Sequence, residues 1–127
     1  MKILTTLIIL TVLDTLPSKG QSMEYQSIVD VQSDTNVQIS NIAHDVLVTH
    51  EGGKYIIQIN VKQGDHVRTY GASVGSDKSF DKASYTWVSN NRVDIKLFSQ
   101  NSPDIFELKV WGQKGTAGMQ VETKDAD

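Results

Sequence analysis

Residues 54–62 read Lys54-Tyr55-Ile56-Ile57-Gln58-Ile59-Asn60-Val61-Lys62. Tyr55, Ile57, Ile59 and Val61 alternate with Lys54, Gln58, Asn60 and Lys62, and only Ile56 breaks the pattern. A period of two puts one set of side chains on one face of an extended chain, so this is a β-strand with one buried face. Val93, Ile95 and Leu97 alternate with Arg92, Asp94 and Lys96, and Phe106, Leu108 and Val110 with Glu107 and Lys109. Nowhere does a long 3.6-residue apolar stripe appear.

Further strands are expected at Tyr25 to Val31, Asp45 to His50, His66 to Val74, Ser84 to Val88 and Met119 to Thr123, with a short edge strand at Val37 to Ser40. The run Val46-Leu47-Val48 suggests burial on both faces. Turn residues separate these runs. Glu51-Gly52-Gly53-Lys54 is a tight hairpin, because paired glycines accept positive φ without steric cost. Lys62 to Asp65, Ser89 to Asn91 and Ser99 to Asp104 are further turns, Gly75 to Lys82 is the longest polar connection mid-chain, and Gly112 to Gly118 reads as a glycine-rich loop. Roughly seven to nine short strands at this spacing predict a single antiparallel β-sandwich, immunoglobulin-like or jelly-roll-like, or a small barrel.

One local pattern favours the immunoglobulin-like form. Asp81-Lys82-Ala83-Ser84-Tyr85-Thr86-Trp87 resembles the Asp-x-Gly/Ala-x-Tyr-x-Cys segment around the tyrosine corner of that family, with Trp87 in the cysteine position. The resemblance covers those seven residues.

The start of the chain reads as an export signal. Lys2 supplies a positive charge, Ile3 to Leu13 is apolar but for threonines, and Ser18-Lys19-Gly20 has the small-x-small form cut by signal peptidases. The alternatives are an uncleaved anchor or an element of the fold. As a helix the eleven residues would span about 16 Å, half of a ~30 Å hydrocarbon core. The expected organisation is a cleaved signal peptide at 1–20, a sandwich domain at 21–123 and a polar tail at 124–127, in a secreted or periplasmic protein with no membrane insertion once the signal is gone. Removing residues 1–20 from the 127 leaves 107, enough for one domain with its own core. There is no cysteine. Exported eukaryotic domains of this size usually carry disulfides, so a bacterial source is expected.

The whole chain has 12 basic and 15 acidic residues; without Lys2, Lys19 and Asp14 the balance is 10 against 14. The charges are interspersed, and no Lys/Arg stripe could follow a phosphate backbone. Nucleic acid and anionic membrane are therefore not expected as partners.

No nucleophile motif of the Gly-x-Ser-x-Gly type is present, and Gly112-Gln113-Lys114-Gly115-Thr116 lacks the strand–loop–helix setting of a phosphate loop. His44 and His50 share a face of a regular strand but lie roughly 20 Å apart at ~3.3 Å per residue, too far for one zinc even with His66 added. Asp77 and Asp81 flank the polar loop Gly75 to Lys82, and Asp104 sits in another loop; they raise the question of calcium, opposed by Lys78 and Lys82, and solvated turns are the plainer reading. No cofactor or metal is expected. Asp94 and Glu107, on adjacent strands and the same solvent face, are the best acid–base pair, although Lys96 and Lys109 beside them suggest a salt-bridge ladder.

Trp111 and Tyr70 are the candidate ligand-binding residues. Trp111 follows Val110, so alternation turns it away from the core, and Tyr70 precedes Gly71. As exposed neighbours they would form a platform for a sugar ring; the opposite reading buries both tryptophans, Trp87 and Trp111, in the core. The expected function is a non-catalytic exported binding or interaction module with a protein or glycan partner. The alternatives are a carbohydrate-binding module, a small hydrolase using Asp94 and Glu107, and a surface-assembling subunit with a free edge near Val37 to Ser40 or Met119 to Thr123. Ligand, organism and oligomeric state stay open at this point.

Overall fold

The computed structural model describes residues 25–34 and 36–125. The expected signal peptide at 1–20 and the last two residues of the expected tail lie outside the described residues. Within them every regular element is a strand: β1 Tyr25–Asp30, β2 Val46–Glu51, β3 Lys54–Gln63, β4 His66–Gly75, β5 Lys82–Ser89, β6 Arg92–Phe98, β7 Asp104–Gln113 and β8 Thr116–Asp125. Two antiparallel sheets result. One has five strands in the order β1-β5-β6-β7-β8, and the other has three in the order β2-β3-β4.

The core lies between the sheets and consists of the residues that alternation selected. Tyr55, Ile57, Ile59 and Val61 of β3 are fully buried, with Val46 and Val48 of β2 beside them. From the five-stranded sheet come Ala83, Tyr85 and Trp87, then Val93, Ile95 and Leu97, then Phe106, Leu108 and Val110. Burying an aliphatic side chain of this size stabilises by about 1.5–3 kcal/mol, so this one face drives the collapse. On the other face of β2 Leu47 is half-buried and Thr49 is buried, so the burial on both faces that the Val46-Leu47-Val48 run suggested is partial.

The strand order departs from the immunoglobulin arrangement. That sandwich draws its sheets from strands ABED and CFG, whereas here β2, β3 and β4 form one meander and β5 to β8 another. The order also lacks the paired Greek keys of a jelly roll. Tyr85 does lie inward, as does Trp87, but the hydroxyl that pins a loop belongs to Tyr55. It donates to Lys78 O at 2.6 Å and accepts from Phe80 N at 2.8 Å, fastening the loop between β4 and β5 over the end of the core. The sheets are joined at one side by the chain after β1, where Gln32 N donates to Val48 O and His50 N to Gln32 O.

Three boundaries differ from the sequence reading. Val37 to Ser40 is not a strand. That segment is held instead by the fully buried Asn60, whose Nδ2 donates to Ser40 O and Ile42 O while its Oδ1 accepts from Thr69 Oγ1. Gly112 to Gly118 is not a loop: β7 runs to Gln113 and β8 starts at Thr116, leaving a two-residue turn at Lys114-Gly115. β8 then continues past Thr123 to Asp125, paired with Asp104. The Gly52-Gly53 hairpin is as read, with φ of 59° and 80° between the paired Glu51 and Lys54.

Candidate functional site

The outer face of the five-stranded sheet carries the side chains that alternate with the core. Register sets them in rows across the strands. Arg92, Trp111 and Gly118 form the first; Thr86, Asp94, Lys109 and Gln120 the second; Ser84, Lys96, Glu107 and Glu122 the third. Ser89 pairs with Arg92 and extends the first row. The face is mostly polar; its apolar side chains are Trp111, Val88, the half-buried pair Phe98 and Ile105 at the far end, and Ile28, which is 63 % exposed.

Trp111 is half-buried on this face, and its place depends on one glycine. A Cβ at Gly118 would lie 2.3 Å from Trp111 Cε2 and 2.4 Å from Cζ2 and Nε1. The indole therefore lies across the β8 backbone where any other residue would hold it off. An aromatic ring covering a cross-strand glycine restores contacts that the missing side chain leaves out. Beside the ring is a shallow depression lined by Ser89, Asn91, Arg92 and Gln120. Asn91 is fixed by Ser89 Oγ, which donates to its Oδ1, and by its own Nδ2, which donates to Gly112 O. Further along the same face a groove of about 280 Å³ runs between Thr86, Asp94, Lys96, Glu107 and Lys109, and a smaller hollow of about 100 Å³ adjoins Gln120 and Glu122.

Tyr70 does not join Trp111. It is 7 % exposed, and its ring lies between the sheets against Gly112, where a Cβ would come within 2.5 Å of Cδ2. Its hydroxyl accepts from Gln63 Nε2 at 2.8 Å, and Arg68 lies 5.8 Å from its centroid. Because Gly112 follows Trp111 on β7, the two aromatics occupy opposite faces of that strand. The expected platform of Trp111 with Tyr70 is thus corrected: β3 puts Ile59 opposite Tyr70, and that register turns the ring inward. Trp87 is fully buried and Trp111 is not, so the tryptophans divide between core and surface.

Asp94 and Glu107 do share the outer face, in diagonal register rather than directly opposite. Asp94 stands across from Lys109 and accepts from Arg92 Nε at 3.3 Å, and Glu107 stands across from Lys96. That is a charge ladder. His44 and His50 make separate contacts. His44, at φ 65°, donates from Nε2 to Asn90 Oδ1 and meets Trp87 edge-on, while His50 stacks flat on Tyr55 at 4.1 Å. Among the described residues no group of three or more His, Asp or Glu could hold a metal ion. Asp104, in the second loop weighed for calcium, is paired with Lys78 at 3.0 Å beside an end cavity of about 290 Å³ lined by Phe80 and Phe106.

Two ionisations are displaced. Burial pushes the Tyr55 phenol up, partly offset by the Phe80 N–H it accepts. The hydrogen bond and charge of Asp30 push Lys82 up. Neither group lies in the Trp111 surface.

No family model matches the chain, and neither a curated protein nor a solved structure is similar to it. Gly118, Asn91, Arg92 and Gln120 were not singled out from sequence. The one available signal was a glycine in a strand-compatible stretch seven residues after a tryptophan, and it needed the hairpin register to be read.

Proposed function

We propose that this chain is an exported, non-catalytic binding module whose ligand surface is the outer face of the five-stranded sheet around Trp111. The export part rests on Lys2, Ile3 to Leu13 and Ser18-Lys19-Gly20. The observation that carries the binding part is the seating of the indole over Gly118 among polar neighbours, next to a depression with amide and guanidinium groups at its rim. Glycine weakens a strand interior and marks places of close approach, and a half-exposed indole offers a large rigid contact area with little entropy to lose. The hydrolase alternative has less support, since both of its carboxylates lie in the charge ladder. The assembling alternative has one edge fewer, since Val37 to Ser40 is irregular.

The test is the ligand-induced rise in melting temperature of the purified protein and of Trp111→Ala, across glycans, peptides and lipid headgroups. A ligand at a hundred times its Kd adds about 2.7 kcal/mol, a shift on the order of 10 °C for a domain of this size. The reading expects the shift seen with wild type to vanish in the variant. The same shift in both proteins would overturn it.

A further inference from the structure

Resting on that reading, we infer that the ligand is a neutral glycan chain, stacked on Trp111 and laid along the groove toward Glu107. Arg92, Lys96 and Lys109 on this face are matched by Asp94, Glu107 and Glu122, and the register sets Lys109 across from Asp94 and Lys96 across from Glu107. A polyanion or a strongly charged peptide would meet no uncompensated block of the opposite sign and would have to displace these cross-strand partners.

Ser84, Thr86, Ser89 and Gln120 offer hydroxyl and amide groups, which donate and accept alike. The indole offers a flat apolar surface. A pyranose ring has the matching pair of features, an apolar C–H face and a rim of hydroxyls. A lipid surface would need a wide apolar patch, whereas around Trp111 the face is polar and its one apolar pair, Phe98 and Ile105, is half-buried six residues away along the strands.

From Trp111 to Glu107 is four residues of β7, about 13 Å at ~3.3 Å per residue, and the depressions lie along that line. That length takes a short oligosaccharide rather than one sugar. An elongated open groove also suits the interior of a chain better than its end.

The experiment is retention of the full protein on immobilised neutral polysaccharides (glucan, mannan, xylan, chitin) and on acidic ones, at low salt and at high salt. Wild type should be retained by a neutral polysaccharide, equally at both salt levels, and soluble fragments of that polysaccharide should elute it. Trp111→Ala should weaken retention at least tenfold. Gln120→Ala, at an exposed position, should weaken it severalfold and keeps the test valid where the tryptophan variant loses stability. Retention on acidic polysaccharides alone, lost at high salt, overturns the inference, as does no retention at all. A peptide or lipid that stabilises wild type and not Trp111→Ala would remove the glycan and leave the binding face standing. Neutral-glycan retention unchanged in both variants would remove both.

Discussion

Gly112 and Gly118 lie on the two strands of one hairpin, one register position apart and each against an aromatic ring, and the same substitution should affect them differently. In Gly112→Ala the new Cβ starts 2.5 Å from Tyr70 Cδ2 and 2.7 Å from Cε2. Ordinary contact needs about 3.4 Å or more, so the ring or the strand must move by nearly 1 Å. Tyr70 is 7 % exposed and packed between the sheets, so it has nowhere to go without disturbing Ile59 and the core around it. A shift of that size also breaks the 2.8 Å bond from Gln63 Nε2. Overpacking costs about 1–3 kcal/mol and the lost hydrogen bond about 1 kcal/mol, while the alanine returns about 0.5 kcal/mol through the unfolded chain. The net loss is about 2–3 kcal/mol, or a fall of roughly 10–20 °C in melting temperature. In Gly118→Ala the clash is closer, at 2.3 Å, but the atoms it meets are at the end of a side chain on the solvent face. The indole swings outward, and the net cost stays within about 1 kcal/mol. Melting curves check the stability, and tryptophan emission checks the ring: a red shift in Gly118→Ala, and little change in the native emission of Gly112→Ala. If Gly118→Ala were the less stable of the two, or Gly112→Ala matched wild type, the assignment of one ring to the core and the other to the surface would be wrong.

Tyr55→Phe should lower stability by about 1–3 kcal/mol, since the buried Phe80 N–H loses its acceptor, and amide exchange in residues 76–81 should rise; unchanged exchange there would mean the hydroxyl does not hold the loop. Its raised ionisation also sets a pH dependence. Below about pH 10 both states keep the phenol proton. Above it the unfolded chain loses the proton first, so the stability advantage of wild type over Tyr55→Phe should shrink as pH rises past 10, and an advantage constant to higher pH would contradict this. Asn60→Ala should cost about 2–4 kcal/mol by stranding Ser40 O and Ile42 O, with faster exchange at Ile42 and His44; a near-neutral melting curve would show that solvent replaces the amide.

Much of the fold was legible because alternation reports burial directly. Tyr55, Ile57, Ile59 and Val61, then Val93, Ile95 and Leu97, then Phe106, Leu108 and Val110 are all core. Where alternation is interrupted the reading slipped. Glycines at 112 and 118 look like loop residues because glycine has no side chain to show a face. Val37 to Ser40 has strand-forming residues, yet no neighbouring strand offers it a ladder, and Asn60 takes the Ser40 carbonyl instead, with that of Ile42 just beyond. Tyr70 sits in a strand whose neighbours His66 to Thr69 and Gly71 are exposed, so its local sequence gives little sign of burial.

The site divides in the same way. That Trp111 points away from the core follows from Val110 beside it, because successive side chains on a strand take opposite faces. That it lies over Gly118, next to Asn91, Arg92 and Gln120, follows only from the pairing of β6, β7 and β8. The sequence by itself determined the all-β class, the buried face of each strong strand and the outward turn of Trp111, since these depend on neighbours one or two residues away. The tertiary structure alone decided the strand order, the inward turn of Tyr70 and the company Trp111 keeps. Those depend on register between strands distant in the chain, and register is set by how the two sheets close on a shared core rather than by any single run of residues.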